Sequence, residues 1–177
     1  MFRQLNAMFS KFSYEHMLYQ SMLSHQCRVV EFIKHRNQKE HFTGSYIVHE
    51  WNGNGYISFK AHLTFAEKQE RVVQIGNLNL PKNLVPQSSV MLQECFCDCD
   101  YFTSFNLPCQ HLFAVWHLLQ LKRMGNCFKQ FSRWLRISET DDYFNENLLR
   151  GLENPFFIKL SERERLYYMN EEDNYFA

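Results

Sequence analysis

The stretch CDCDYFTSFNLPCQH, residues 97–111, decides the fold because it places three thiols and one imidazole in two close pairs. Residues at positions i and i+2 of an extended strand point to the same side, so Cys97 and Cys99 can hold one ion together. Cys109 and His111 lie where the chain turns into a helix, and they can approach from the other side. Three thiolates and one imidazole form a tetrahedral set typical of zinc. Four strong ligands leave no open position, which indicates a structural rather than a catalytic site.

Other interpretations of the six cysteines compete with a metal site. Free cysteines pack like small apolar side chains, and disulfide frameworks suit small secreted chains. Four of the six, however, lie between Cys95 and Cys109, close to a histidine, and this clustering favours metal binding. The alternation of Cys95, Cys97 and Cys99 leaves two choices for the first ligand pair.

The residues around these cysteines resemble the SWIM-type zinc finger. That family has the pattern C-x-C, an aromatic residue three positions later, a turn-containing loop, and P-C-x-H at the start of an apolar helix. Phe102 falls on the aromatic position only when the first pair begins at Cys97, and Cys95 then becomes a spare thiol. The metal ligands implied by the resemblance are Cys97, Cys99, Cys109 and His111. Asn106 stands where transposon members often have Gly, and Asn tolerates the left-handed conformation better than most residues.

The resemblance also implies a wider context. In Mutator-like transposases and proteins derived from them, a SWIM finger follows an RNase H-like catalytic domain. The context of the finger in this chain resembles that setting, with strands before it and Arg133-Trp134 after it. Such a domain holds two metal ions with carboxylates on separate strands, whereas residues 1–90 contain six glutamates and no aspartate. We therefore expect no enzyme activity and a C-terminal remnant or fragment of a longer transposon-derived protein. A nuclear location follows by family analogy.

Charge is unevenly distributed in a chain whose formal net charge is zero. Residues 112–136 carry five basic residues and no acidic one, whereas residues 137–177 carry ten acidic and four basic residues. A basic stretch beside a zinc finger can meet a phosphate backbone, although it can equally be the solvated face of a helix. The candidate nucleic-acid contacts are Lys122, Arg123, Lys129, Arg133 and Arg136.

Three functions stay open at this point: binding of DNA, a protein-interaction adaptor, and a decayed transposase fragment that binds zinc without a selected role. A small-molecule substrate is not expected. No apolar run approaches the ~18 residues that a membrane span needs, so no membrane association is expected. The first residues lack the apolar core of a secretory signal, and we expect an intracellular, reducing compartment.

An α+β fold is predicted, divided into a helical segment at 1–44, a β-rich segment at 45–89, the finger at 90–123, and short helices with an acidic tail at 124–177. Helical spacing continues to Val29, Val30, Phe32 and Ile33 without Gly or Pro. Asn52-Gly53-Asn54-Gly55 predicts a hairpin between strands at 45–50 and 56–60. Further strands are predicted at 71–75 and 88–93.

The finger itself is predicted to be a ββα unit whose helix begins near Cys109 and is stopped by Gly125-Asn126. His117 lies six residues beyond His111 and faces away from the ligand side of a regular helix. We therefore expect a core or surface histidine there. Cys127 could extend the metal site, but Gly125-Asn126 separates it from the helix, and a packing role is expected for it.

Overall fold

A computed structural model describes residues 9–35, 42–65, 72–75, 78–81, 92–121, 127, 130–131, 154 and 156–169. The described helices are α1 (Lys11–Leu23), α2 (Asp100–Phe105), α3 (Gln110–Leu119) and α4 (Glu162–Tyr167), with a 3-10 turn at Ser24–Gln26. The described strands are β1 (Cys27–Lys34), β2 (Phe42–Trp51), β3 (Tyr56–Phe65), β4 (Val72–Ile75), β5 (Leu78–Pro81) and β6 (Leu92–Cys97). The mixture of helices and antiparallel strands confirms the α+β class.

One four-stranded antiparallel sheet in the order β1-β2-β3-β6 carries the fold, and β4 and β5 pair separately. The hairpin between β2 and β3 forms where it was predicted. The side-chain oxygen of Asn52 accepts the backbone N–H groups of Asn54 and Gly55, at 2.9 and 3.0 Å. Gly53, which lies between Asn52 and Asn54, has φ +94°, a conformation that favours glycine. The local turn chemistry is therefore consistent with the register that the two strands adopt.

The predicted helix over residues 29–33 is wrong, because these residues form β1. A register shift between Val29 and Glu31 places a bulge in this strand. Three residues of β1 pair with residues on the core side of β2: Cys27, Val29 and Phe32. The first two are two positions apart, and the last two are three positions apart. A bulge adds one residue and breaks the period of two. The interrupted alternation imitates the spacing of a helix.

The core lies between one face of the sheet and the helices α1 and α3. Every residue of α3 from His111 to Leu119 is buried, including the ring of Trp116. Helix α1 contributes Met17, and the sheet contributes Tyr46 and Leu63. A helix that is apolar all round belongs inside a protein rather than on its surface. Helix α3, which follows the cysteine motif, is thus the central element of the core.

The carboxyl end of α3 is closed by the C-terminal part of the chain. Gln120 adopts the left-handed conformation with φ 55°, so the helix ends at Leu119 and the predicted stop at Gly125-Asn126 is wrong. The guanidinium of Arg165 donates twice to the carbonyl oxygen of Leu118, at 2.9 and 2.7 Å. These bonds satisfy a carbonyl that the end of a helix leaves without a partner.

Among the helices described, none combines the length and the apolar character that crossing a bilayer requires.

Candidate metal centre

The four predicted ligands lie at three junctions of secondary structure. Cys97 is the last residue of β6, and Cys99 is the N-cap of α2. Cys109 is the N-cap of α3, and His111 lies in the first turn of that helix. The helix therefore begins where the sequence predicted, but the second strand predicted for the finger is not found in the described segment 92–121. Residues 100–105 form α2 in its place.

The side chains of these four residues converge on one buried point. Their candidate ligand atoms all lie within 4.8 Å of one another, and all four residues are buried. The Sγ atom of Cys97 is 3.5 Å from Nδ1 of His111, so Nδ1 is the ring nitrogen that faces the sulfur atoms. Among the described residues this is the one group of three or more metal-ligating side chains that converges in this way. The arrangement can hold a metal ion.

The sheet orients the first pair of cysteines through Asp98, which lies between them. The backbone N–H of Asp98 donates to the carbonyl of Lys60 at 3.2 Å, continuing the pairing of β3 with β6 beyond Cys97. In return, the N–H of Lys60 donates to the Asp98 carboxylate at 2.9 Å. Asp98 is exposed while Cys97 and Cys99 are buried. Extended backbone at this point thus turns both thiols to the same side.

Helix α2 returns the chain from the first pair of cysteines to the second. The Sγ atom of Cys99 caps this helix by accepting the backbone N–H of Phe102 at 3.4 Å. The Phe102 ring is buried against the exposed Phe96, with an edge contact at 5.5 Å between ring centroids. Asn106 ends the helix at φ 51° and ψ 47°, which confirms that it supplies a left-handed turn. Its amide also donates to the carbonyl of Gln130 at 2.9 Å.

The three thiols and the imidazole of the cluster shift one another's pKa values, and among the thiols only Cys99 is favoured as a thiolate. Side-chain hydrogen bonds from Cys109 and Cys97 lower the pKa of the Cys99 thiol far below its usual range. Burial raises the pKa of the Cys109 thiol. Burial alone would lower the pKa of His111, but contacts with the thiols of Cys97 and Cys99 and with Glu50 together raise it to about 11. The site therefore favours a thiolate on Cys99 beside a protonated His111, and a bound cation would take the place of that proton.

Sequence reasoning missed the groups that surround His111 from outside the motif. The ring of Phe59 on β3 stacks on the imidazole, with centroids 4.1 Å apart and planes inclined by 26°. Oε1 of Glu50 on β2 lies 3.4 Å from Nε2 of His111. Neither residue belongs to a recognisable motif, since both lie about fifty or more positions before the histidine. Only the register of the sheet brings them to the site.

The other residues that the sequence singled out within the described segments have packing roles. Cys95 and Cys127 are buried outside the metal cluster, and their thiols contact each other. The amide of Gln130 pairs with both backbone groups of Cys95, at 2.6 and 2.7 Å. His117 is a core histidine, which is one of the two positions predicted for it. Burial, with a smaller contribution from His25, lowers its pKa to about 4.

The predicted nucleic-acid contacts lie outside the described residues. They are Lys122, Arg123, Lys129, Arg133 and Arg136.

Comparisons with known proteins give no relative. No protein-family model, no curated protein sequence and no solved structure matches this chain.

Proposed function

We propose that the chain is a structural zinc-binding protein of the SWIM type, with Zn²⁺ held by Cys97, Cys99, Cys109 and His111. The observation that carries this proposal is the convergence of three sulfur atoms and one imidazole nitrogen within 4.8 Å of one another in a buried site. Sulfur and nitrogen ligands in a tetrahedral set are typical of zinc, whereas magnesium and calcium take oxygen ligands.

One pair of ligand atoms lies at the separation that coordination of zinc requires. Bonds of about 2.3 Å to sulfur and about 2.0–2.1 Å to nitrogen, at a tetrahedral angle, place sulfur and nitrogen about 3.6 Å apart. The distance from Cys97 Sγ to His111 Nδ1 is 3.5 Å. The backbone therefore already presents this pair at the separation that coordination requires.

Zinc in this site would have a structural role. It would join the end of β6, the start of α2 and the start of α3, which are the three elements that carry its ligands. Four protein ligands leave no position for a substrate or a reactive water, so we assign no catalysis to this site. The free energy of metal binding would appear as free energy of folding.

Metal content of the purified chain tests this proposal. We expect about one zinc per chain by elemental analysis, and loss of that zinc in the double variant Cys97→Ser/Cys99→Ser. The matched control is Cys95→Ser, because Cys95 is buried on the same strand and lies outside the cluster. Retention of zinc by the double variant, or its loss from Cys95→Ser alone, would contradict the assigned ligands. Absence of zinc from the unmodified chain would refute the function.

For the folded module we propose a role in nucleic-acid binding, as in the transposase-derived proteins that its motif resembles. The supporting observation is the run of five basic residues without an acidic one in residues 112–136, directly after the metal ligands. Contacts to phosphates release counterions, so affinity for duplex DNA should fall steeply with salt.

Fluorescence anisotropy with labelled duplex and single-stranded DNA tests this role. The double variant Arg133→Gln/Arg136→Gln should weaken binding and reduce its salt dependence. The variant Lys159→Gln/Arg163→Gln removes the same charge from two exposed positions elsewhere and should leave binding unchanged. Binding that is absent, or that does not respond to salt, would refute the nucleic-acid role while leaving the zinc site intact.

A protein-interaction adaptor is the second candidate, and the surface of α1 favours it. This helix leaves Phe12, Tyr19 and Met22 exposed by 47%, 58% and 64% of their areas. Large apolar side chains grouped on a surface are typical of sites that contact other proteins. A partner captured by the zinc-loaded chain and lost from Tyr19→Ser/Met22→Ser would support this role. Retention of every partner by that variant would count against it.

A further inference from the structure

The imidazole of His111 is held on two sides by groups of different kinds. Its Nδ1 faces the sulfur of Cys97 at 3.5 Å, while its Nε2 lies 3.4 Å from Oε1 of Glu50. The residue is 3% exposed, and Nε2 has no hydrogen bond of normal geometry to any described residue. A buried N–H group without an acceptor is destabilising. The carboxylate of Glu50 is thus the group placed to accept a proton from Nε2.

Neighbouring side chains hold the Glu50 carboxylate in place. The side-chain amide of Gln110 donates to the same Oε1 atom. The amide oxygen of Gln110 in turn accepts the thiol of Cys27 at 3.6 Å. Cys27 and Glu50 are partners across the pairing of β1 with β2. Two strands from the first half of the chain therefore support the carboxylate that faces His111.

The start of α3 also depends on the first half of the chain. Its N-cap, Cys109, makes no capping hydrogen bond, because its sulfur belongs to the metal cluster. The side-chain oxygen of Gln20 on α1 accepts the backbone N–H of Gln110 at 2.9 Å instead. An acceptor supplied from ninety positions away therefore caps the turn on which His111 lies.

We propose that Glu50 is a positioning residue of the metal centre. Its carboxylate accepts the N–H at Nε2 of His111, which selects the tautomer whose Nδ1 lone pair is free for the ion. This inference rests on the proposed zinc-binding function. Histidines that bind metals generally donate their other ring N–H to a carboxylate, a carbonyl or water. Helix α1 and strands β1 and β2 thereby gain a role in the site, since they build the support around its histidine.

The tautomer of His111 can be read directly in the zinc-loaded full chain. Long-range proton–nitrogen correlation spectra of the ¹⁵N-labelled protein distinguish a metal-bound Nδ1 from a metal-bound Nε2. We expect Nδ1 to be the bound nitrogen and Nε2 to carry a proton protected from exchange with water. A metal-bound Nε2 would overturn the inference, and this measurement needs no variant.

Variants of Glu50 then test whether the carboxylate positions the ring. Zinc affinity, measured by competition with a chelating dye, should fall by about 10–100-fold in Glu50→Ala. Glu50→Gln keeps an oxygen that can accept the N–H and should recover most of that loss. The matched control is Glu31→Ala, because Glu31 is an exposed glutamate on the adjacent strand β1.

The outcomes separate this inference from the zinc function beneath it. If the unmodified chain and Glu50→Ala bind zinc within twofold of each other, the positioning role is refuted and the zinc site stands. If the unmodified chain binds no zinc, both are refuted. The absorption of bound Co²⁺ supplies a further readout, because three sulfur ligands and a nitrogen should persist in Glu50→Gln. A changed ligand set in Glu50→Gln would contradict a role confined to positioning.

Discussion

The buried histidine of α3, His117, should make the protein sensitive to acid in a predictable range. Its side chain is 3% exposed, and its ring packs between Phe113 and Tyr168 at centroid distances of 6.4 and 5.6 Å. Burial lowers its pKa from 6.5 to about 4. Between pH 4 and pH 6.5, His117 is protonated in the unfolded chain and neutral in the folded chain, so acidification favours unfolding.

The size of this effect follows from the shift. A pKa difference of one unit corresponds to about 1.4 kcal/mol, so His117 should remove about 3 kcal/mol of stability by pH 4 and about 2 kcal/mol by pH 5. Its contribution is fully present above pH 6.5 and is lost as the pH falls toward 4. Release of metal from thiolates also destabilises the fold in acid. A comparison of variants at each pH cancels that release.

The assay is urea denaturation at pH 7.5 and pH 5, in the presence of zinc, followed by tryptophan fluorescence, to which the buried Trp116 contributes. We expect His117→Phe, which cannot titrate, to lose about 2 kcal/mol less than the unmodified protein over this interval. The control is His16→Phe, because His16 is a half-buried histidine of α1 whose ring contacts a Phe ring could keep. Equal losses in the unmodified protein and in His117→Phe, within about 0.5 kcal/mol, would refute the reasoning.

Three further substitutions test the packing around the site by chemical denaturation. Gly44→Ala should cost about 1–3 kcal/mol, since a Cβ there would overlap Cε2 of Phe32. Phe32→Leu should recover part of that loss. Asn106→Val should cost about 1–2 kcal/mol, because a β-branched residue is strained at the positive φ of this position, and Asn106→Gly should cost less. A larger cost for Gly than for Val would contradict a left-handed turn. Gln130→Leu should cost about 1–3 kcal/mol by leaving both backbone groups of Cys95 unpaired, and an unchanged midpoint would contradict that pairing.

Sequence reasoning succeeded where a local signal specifies structure. The hairpin at Asn52-Gly53 depends on one side chain and one positive φ, both of which are encoded within four residues. The same holds for the start of α3, which follows Pro108 and Cys109, and for the left-handed turn at Asn106. The spacing of the four ligands carries comparable information, because close pairs have few ways to face one ion.

Prediction failed where distant contacts decide the structure. The bulge in β1 changes the spacing of its core residues, and only the pairing with β2 reveals that Cys27–Lys34 is a strand. The end of α3 is set by Gln120 and by Arg165, which reaches it from 47 positions away. Neither contact has a periodic or local signature.

The same distinction explains why the cysteine motif alone describes the site incompletely. Cys97 ends a strand that pairs with β3, and a residue of β3, Phe59, stacks on His111. The cap of α3 comes from α1 and the carboxylate beside its histidine from β2. Contacts of such high sequence separation form only when the sheet has assembled, because each requires a long loop to close. Folding of the sheet and tight binding of the ion should therefore be coupled. It follows that a peptide of residues 92–121 should bind zinc more weakly than the full chain, because it keeps every ligand but loses the contacts from α1, β2 and β3. Equal affinity of the peptide and the full chain would show that the motif suffices alone.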